Sequence, residues 1–175
     1  MKKIFTLSLC LAIISISCKK SGSGGSTSSY YMKATIDGTA KTFNVDALGQ
    51  KFTSGGVTFI GASGNVTTPT SSLEGMGITI NNSPSQKPIV AGTYSETASP
   101  DFAAGAVYNP GSATIVYGTG LYPTTNPLKI IITAIDNSTI KGTFSGDFYY
   151  SNSSTQQIGP TKKTVTNGEF YVKFN

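Results

Sequence analysis

The chain has 175 residues, of which 13 are lysine, eight are acidic and none is histidine, arginine or tryptophan. Its 38% hydrophobic and 12% charged residues suit one globular domain and argue against a disordered chain or a membrane bundle. Without an imidazole, the chain cannot build a Ser-His-Asp or Cys-His nucleophile, a His-ligated zinc site or a two-His iron site. Several large enzyme classes are thereby excluded.

The N-terminus predicts an export signal. The positive charges of Lys2 and Lys3 precede an apolar run over residues 4–16. This run is shorter than the roughly 20 residues that a membrane-spanning helix needs, and it has the length of a signal-peptide core. We therefore expect residues 1–17 to be a signal peptide that is removed from the mature protein.

A cysteine follows the apolar run directly. The sequence SISCKK at residues 15–20 leads into a Gly/Ser-rich stretch, so residues 18–29 form a flexible tether. The arrangement resembles the lipobox of bacterial lipoproteins in its loose Bacteroidetes-type form, with Ser15 where a leucine is usual. The resemblance implies cleavage before Cys18, a lipid on its side chain and attachment to a membrane. The alternative is an ordinary secretory signal, with Cys18 an incidental thiol.

Removal of the signal peptide and lipid attachment would change both the net charge and the number of free cysteines. Four of the 13 lysines precede residue 30, so the nine that remain face eight acidic residues. A nearly neutral domain lacks the clustered basic face of a nucleic-acid binder, and we expect no nucleic-acid partner. Cys10 leaves with the signal and Cys18 carries lipid, which leaves no thiol for a disulfide, a metal site or catalysis.

The residues after the cysteine bear on placement in the envelope. In the resembling lipoproteins, export to the cell surface is associated with acidic residues soon after the cysteine, and residues 19–23 contain none. The resemblance therefore implies a cell-envelope protein anchored at the outer membrane and facing the periplasm.

From residue 30 onward, apolar and polar residues alternate in short runs that predict β-strands. The turn pair Asp37-Gly38 predicts a hairpin between the first two strands, and Asp136 begins the turn of the strongest hairpin. Residues 99–106 are compatible with one helical turn. The predicted strands are residues 30–36, 41–45, 57–62, 73–80, 92–94, 106–108, 113–117, 129–135, 139–150 and 164–175.

This strand content indicates a single all-β domain over residues 30–175. Nine or ten strands separated by Gly, Pro, Asn and Ser turns predict an antiparallel β-sandwich or a partly closed barrel. On the inward face of the late long strand, Phe144 and Phe148 alternate with Gly142 and Gly146. Such spacing permits a sharply coiled strand or the close approach of a second sheet.

Four short motifs are spread over the domain: ATIDG at residues 34–38 leading to Phe43, GTY at 92–94, IKGTF at 140–144 and VTNGEF at 165–170. They resemble a recurring pattern in small Bacteroidetes-type lipoproteins with an all-β domain. The resemblance covers most of the mature chain. Its motifs consist of turn and core residues, so it implies the fold and the compartment but no active site.

The carboxylates offer little for catalysis. Asp147 and Glu169 lie on late strands at outward positions and could be neighbours, as a glycosidase pair would require. Each is more simply explained as a solvated charge near a lysine such as Lys141 or Lys173. There is no calcium-binding D-x-D-x-D-G run, and we predict neither enzyme activity, nor a metal, nor a cofactor. A hydrolase that uses carboxylates alone stays a third hypothesis.

The outward faces carry tyrosines. Tyr31, Tyr149 and Tyr171 all fall opposite the core alternation, with Lys141 and Asp147 between them. Aromatic rings flanked by polar groups bind sugars, because ring faces stack on apolar C–H faces while charged groups bond hydroxyls. The alternative is that exposed tyrosines are simply favoured on sheets by cross-strand packing.

We therefore expect a lipid-anchored, non-enzymatic binding or structural module of the cell envelope, with a glycan site at the exposed tyrosines. The alternative is a lipocalin-like carrier of a small apolar ligand, suggested by the aromatic inward faces and Gly-spaced strands. An internal cavity of several hundred Å³ would favour the carrier.

Overall fold

The computed structural model describes residues 30–66, 74–97, 99 and 101–175. These residues contain eleven β-strands. The all-β prediction is confirmed, with eleven strands in place of nine or ten. The predicted signal peptide, Cys18 and tether lie outside the described residues. The strands are β1 Tyr31–Ile36, β2 Thr39–Phe43, β3 Val45–Ser54, β4 Val57–Asn65, β5 Glu74–Asn81, β6 Gly92–Ser95, β7 Ala103–Pro110, β8 Ile115–Gly118, β9 Lys129–Ile135, β10 Thr139–Asn152 and β11 Gln157–Lys173.

The strands of the main path pair antiparallel, in the order β2-β1-β11-β10-β8-β7-β5-β4-β3. An isolated parallel bridge joins Gly49 on β3 to Phe174. The long strand β10 pairs along one edge with β9 over its first half and with β8 over its second half. Strand β6 pairs with β9 outside the main path. The irregular segments flanking β6 and β9 therefore lie next to the β7–β8–β10 part of the sheet.

Both predicted hairpins form, and local chemistry explains their turns. Asp37 and Gly38 adopt positive φ values of 48° and 81° between β1 and β2. Asp136 Oδ1 accepts the backbone N–H groups of Ser138 and Thr139 at 2.6 and 2.7 Å. These bonds, with those from the Ser138 and Thr139 hydroxyls, lower the pKa of Asp136 to about 2.

The sheet curls until its two ends nearly meet. Its end strands β2 and β3 are consecutive in sequence, and Lys41 on β2 forms an ion pair of 2.5 Å with Glu74 on β5. Gly64 on β4 faces the carbonyl of Phe43 so closely that a β-carbon would overlap it. Of the two predicted architectures, the structure is therefore the partly closed barrel.

Side chains fill the barrel interior. The described residues include ten apolar side chains with less than 2% exposure, and each large one contributes roughly 1.5–3 kcal/mol of burial free energy. They come from β1, β2, β5, β9, β10, β11 and the residue before β9. They are Met32, Phe43, Met76, Leu128, Ile130, Ile132, Phe148, Val165, Phe170 and Val172.

The helical turn with which residues 99–106 are compatible does not form in the described part of that range, and residues 103–106 are extended and belong to β7. β7 pairs with β5 over eight residues. This pairing outweighs the local sequence pattern that is compatible with a helical turn. No helix within the described ranges is long and apolar enough to cross a membrane.

Candidate functional site

Tyr31, Tyr171 and Lys141 form one cross-strand row, which we call the tyrosine face. Tyr31 on β1 lies opposite Tyr171 on β11, and Tyr171 lies opposite Lys141 on β10. Side chains directly opposite each other in antiparallel strands share one face, with β-carbons about 4.5–5.5 Å apart. The neighbouring Met32 and Phe170 are buried in the core, so the row faces outward. Lys141 is exposed and forms no ion pair with any described residue.

Further aromatic and charged groups border the tyrosine face. The Lys33 ammonium lies 5.5 Å from the centroid of the Tyr31 ring and 3.1 Å from the Glu169 carboxylate. The ring of Tyr30 packs against that of Tyr171 with 5.3 Å between centroids. The face therefore joins aromatic surface, two cations and one carboxylate over a few residues of β1, β10 and β11.

Tyr149 and Asp147 are buried, and the expectation that both are exposed is wrong. Their exposed fractions are 6% and 1%. Their alternation does direct them away from the barrel core, but residues 119–128, the covering loop, pack over them. The ring of Tyr122 stacks on that of Tyr149 at 5.3 Å, and the Tyr149 hydroxyl donates to the carbonyl of Pro123 at 3.3 Å.

The five residues predicted to form one glycan site therefore lie in two separate parts of the structure. Strands β10 and β11 are adjacent and antiparallel, as expected. The residue opposite Tyr171 is Lys141, which precedes Tyr149 by eight positions, or about 26 Å of strand at roughly 3.3 Å per residue. Tyr149 and Asp147 do not belong to the tyrosine face.

Asp147 fastens the covering loop to the sheet. Its carboxylate accepts hydrogen bonds from Thr124 and Asn126 of the loop at 3.2 and 3.1 Å. From β11 it accepts bonds from Lys162 at 2.5 Å and Thr164 at 3.0 Å. Burial alone raises the pKa of Asp147, but the bonds from Lys162, Asn126 and Thr164 outweigh burial and lower it.

Asp147 and Glu169 do not converge as a glycosidase pair would. On β10, Asp147 lies four positions beyond Thr143, the residue opposite Glu169, which corresponds to about 13 Å of strand. Both oxygens of Asp147 are also occupied by the donors described above. Glu169 is half-buried and pairs with Lys33 instead of Lys141 or Lys173.

A partly open cleft of about 590 Å³ lies between β7 and the covering loop. The backbone and small side chains of residues 103–107 form one wall. Phe102, Leu121 and Tyr122 contribute apolar surface, and Glu96 contributes a carboxylate. Tyr122 is 43% exposed despite its stacking on Tyr149, so its second ring face is open.

The Glu96 side chain lines the cleft and is partly buried. Its Oε1 accepts the backbone N–H of Leu128 at 2.9 Å, whereas its buried Oε2 has no hydrogen-bond partner among the described residues. Burial raises the pKa of Glu96, and the backbone bond from Leu128 only partly offsets it. The Gly120 amide and the Thr119 hydroxyl lie near enough to favour ionisation, but neither completes a bond to Oε2, and Thr119 is engaged with Ala106.

The cleft residues were not predicted from the sequence as one site. Glu96, Phe102 and Tyr122 lie in irregular segments or at strand ends, where no periodicity indicates direction. The sequence does contain one signal, because the ten residues 119–128 form a long connection between the consecutive strands β8 and β9. A loop of that length commonly packs on the domain and carries functional groups.

Comparison with known proteins finds no matching family model, no matching curated protein and no matching solved structure. The function is therefore inferred from the geometry of the tyrosine face and the cleft.

Proposed function

We propose that the protein is a lipid-anchored protein of the cell envelope whose β domain is a non-enzymatic binding module, with a glycan as its ligand. The observation that carries the proposal is the placement of Tyr31, Tyr171 and Lys141 in one outward row. The fit of this row to a sugar rests on shape as well as polarity. Both tyrosines are half-buried, and the exposed parts of their rings offer apolar surface for the C–H faces of sugar units.

Hydrogen bonds to the sugar hydroxyls would complement the stacking on the tyrosine rings. The Lys141 ammonium has no ion-pair partner among the described residues, so a sugar hydroxyl can accept from it without breaking an existing pair. Glu169 supplies an acceptor at the border, beside Lys33. Lys141 lies at one end of the row, and Lys33 and Glu169 form the neighbouring row, so donors and an acceptor for sugar hydroxyls stand beside the rings.

The anchor is proposed from the sequence. The apolar run, the SCKK motif and the polar tether support a lipid on Cys18 and a position at the outer membrane facing the periplasm. A tether of residues 18–29 has a typical span of about 18–20 Å, at ~5–6 Å × √n. The domain would then stay close to the membrane while its tyrosine face samples envelope or dietary polysaccharides.

The alternative function is a carrier of a small apolar ligand. Large apolar side chains are buried in the barrel core. The cleft beside β7 has a volume within the range of small-molecule pockets. A carrier would therefore hold its ligand outside the barrel, under the covering loop.

A polysaccharide array tests the glycan proposal. Purified protein should bind at least one polysaccharide, and Tyr31→Ala and Tyr171→Ala should each lose most of that signal. Phe52→Ala is the matched control, because Phe52 is an exposed ring stacked on Phe59 at the distant β3–β4 hairpin. Absence of binding by the unsubstituted protein across a broad array, or an equal loss in Phe52→Ala, would overturn the proposal.

A further inference from the structure

The cleft differs in chemistry from the tyrosine face and points to a different ligand. Its volume of about 590 Å³ suits a small molecule rather than a polymer. It opens between β7 and the covering loop, whereas the tyrosine face lies on β1, β11 and the first half of β10. A ligand bound in the cleft therefore leaves the tyrosine face free.

Charge is the first feature that restricts the ligand. The sequence from residue 30 onward contains nine lysines, yet none of them is among the residues that line the cleft. Among the described residues of the lining, Glu96 alone is charged. An anion would meet a carboxylate without a compensating cation, so the lining favours a neutral or positively charged ligand.

The Glu96 carboxylate is incompletely satisfied. Leu128 donates to Oε1, but Oε2 is shielded from solvent and accepts no hydrogen bond from the described residues. A buried carboxylate oxygen without a donor is unfavourable, and a nearby positive charge relieves that penalty. The attraction does not require direct contact, because a charge within about 4–6 Å still favours the ionised carboxylate.

Two aromatic rings are fixed at the cleft by buried tyrosines. Phe102 packs edge-on against Tyr94 with 5.0 Å between centroids, and the Tyr94 hydroxyl donates to the carbonyl of Val90. Tyr122 stacks on Tyr149 at 5.3 Å. Rings held in place in this way lose little conformational freedom when a ligand packs on them, and their faces attract cations.

We propose that the cleft binds an organic cation, a primary amine with an apolar body. The ammonium is neutralised by Glu96, and the apolar body packs on Phe102 and Tyr122. Carboxylate, aromatic surface and absence of lysine in the lining are the features that an amine of this type needs, and none of them favours a carboxylate or phosphate ligand.

Calorimetric titration of the purified full chain with three matched probes tests this proposal. Phenethylamine, phenethyl alcohol and hydrocinnamate carry the same phenyl ring on a two-carbon linker and differ in charge. The amine should bind about tenfold or more tightly than the alcohol, and hydrocinnamate should bind weakest. Equal binding of amine and alcohol, tighter binding of hydrocinnamate, or no binding of the amine would overturn the assignment.

Three variants locate the site. Glu96→Gln should weaken amine binding about tenfold while leaving the alcohol unaffected. Glu169→Gln, which removes a carboxylate outside the cleft, should change neither. Tyr122→Ala should weaken both probes and serves if Glu96→Gln fails to fold. Amine binding that Glu96→Gln and Tyr122→Ala both leave unchanged contradicts the proposal, whatever the outcome at the tyrosine face.

Discussion

Asp147 and Lys162 form an ion pair of 2.5 Å in which the aspartate side chain is 2% exposed and the lysine side chain 47% exposed. The lysine thus reaches from solvent to a carboxylate that also holds Thr124 and Asn126 of the covering loop. A buried carboxylate with donors from both β11 and the loop links the loop to the sheet. The shape of the cleft depends on this link, because the covering loop forms one of its walls.

Asp147→Ala should lower the free energy of unfolding by about 2–4 kcal/mol. The substitution leaves the loop donors Thr124 and Asn126 without their acceptor, and charge-assisted bonds contribute roughly 1.5–3 kcal/mol each before the donors find water. Urea denaturation measures the loss. Asp101→Ala, which breaks the exposed Asp101–Lys87 pair, should cost less than about 1 kcal/mol. Equal costs for the two variants would contradict the assigned role.

The pKa of Glu96 predicts a specific pH dependence of stability. Burial raises the folded-state pKa above the ordinary value of 4.5, so the native state holds this proton more tightly than the unfolded state. The contribution of Glu96 is therefore fully present below 4.5 and is lost as pH rises through the folded-state pKa. Glu96→Gln should lack this loss, so its stability should fall less than that of the unsubstituted protein between about pH 4 and 7.

Denaturant unfolding at several pH values in that window measures the difference. Glu169→Gln, which removes a half-buried carboxylate outside the cleft, should follow the unsubstituted protein. Parallel pH profiles for Glu96→Gln and the unsubstituted protein would show that Glu96 is not desolvated.

The glycines that separate aromatic residues on β10 and β11 should be intolerant of a side chain. A β-carbon at Gly168 would overlap the carbonyl oxygen and the ring of Phe144 on the paired strand. Gly168→Ala should destabilise the protein by about 1–3 kcal/mol through overpacking. Gly77 is an internal control, because its β-carbon would meet its nearest neighbour at 3.8 Å. Gly77→Ala should change stability by less than about 1 kcal/mol, and thermal melts distinguish the two.

Cys18→Ser should release the chain into soluble fractions and abolish labelling by a fatty-acid analogue. The apolar run before Cys18 and the tether after it are the reasons to expect lipid on this residue. Cys10→Ser is the matched control and should leave labelling unchanged, since Cys10 lies within the predicted signal peptide. Persistent labelling and membrane fractionation of Cys18→Ser would show that the lipoprotein interpretation is wrong.

Local signals predicted both hairpins and most of the strands, but they missed β3 beyond its first residue and the part of β11 over residues 157–163. The turn at Asp136 depends on residues within three positions, so the sequence contains its cause. Asp37 and Gly38 have the positive φ values that an Asp-Gly turn favours, but the Asp37 carboxylate accepts hydrogen bonds from Lys163 and Thr164 on β11, which local sequence does not reveal. Alternation also gave the correct facing of Tyr31, Tyr171 and Lys141, which the pairing of β1, β11 and β10 then brings into one row.

Long-range packing accounts for what the sequence did not reveal. Alternation directs Tyr149 away from the core, but it cannot show that Tyr122 and Pro123, more than 25 positions earlier, cover it. Local sequence likewise does not predict the ion pair between Lys41 and Glu74 near the closing edge of the barrel, because the two residues are 33 positions apart. The cleft arises between β7 and the covering loop, and the covering loop has no periodicity from which its position follows.

The most direct test of the glycan proposal compares Tyr171→Ala with Tyr149→Ala, using the polysaccharide that the array identifies. Tyr171→Ala should weaken binding about tenfold, equivalent to ~1.4 kcal/mol, with a melting temperature within about 4 °C of the unsubstituted protein. Tyr149→Ala should leave the affinity unchanged and lower the melting temperature, because Tyr149 is buried under the covering loop. Retained affinity in Tyr171→Ala, or an equal loss of affinity in both folded variants, would contradict a glycan site at the tyrosine face.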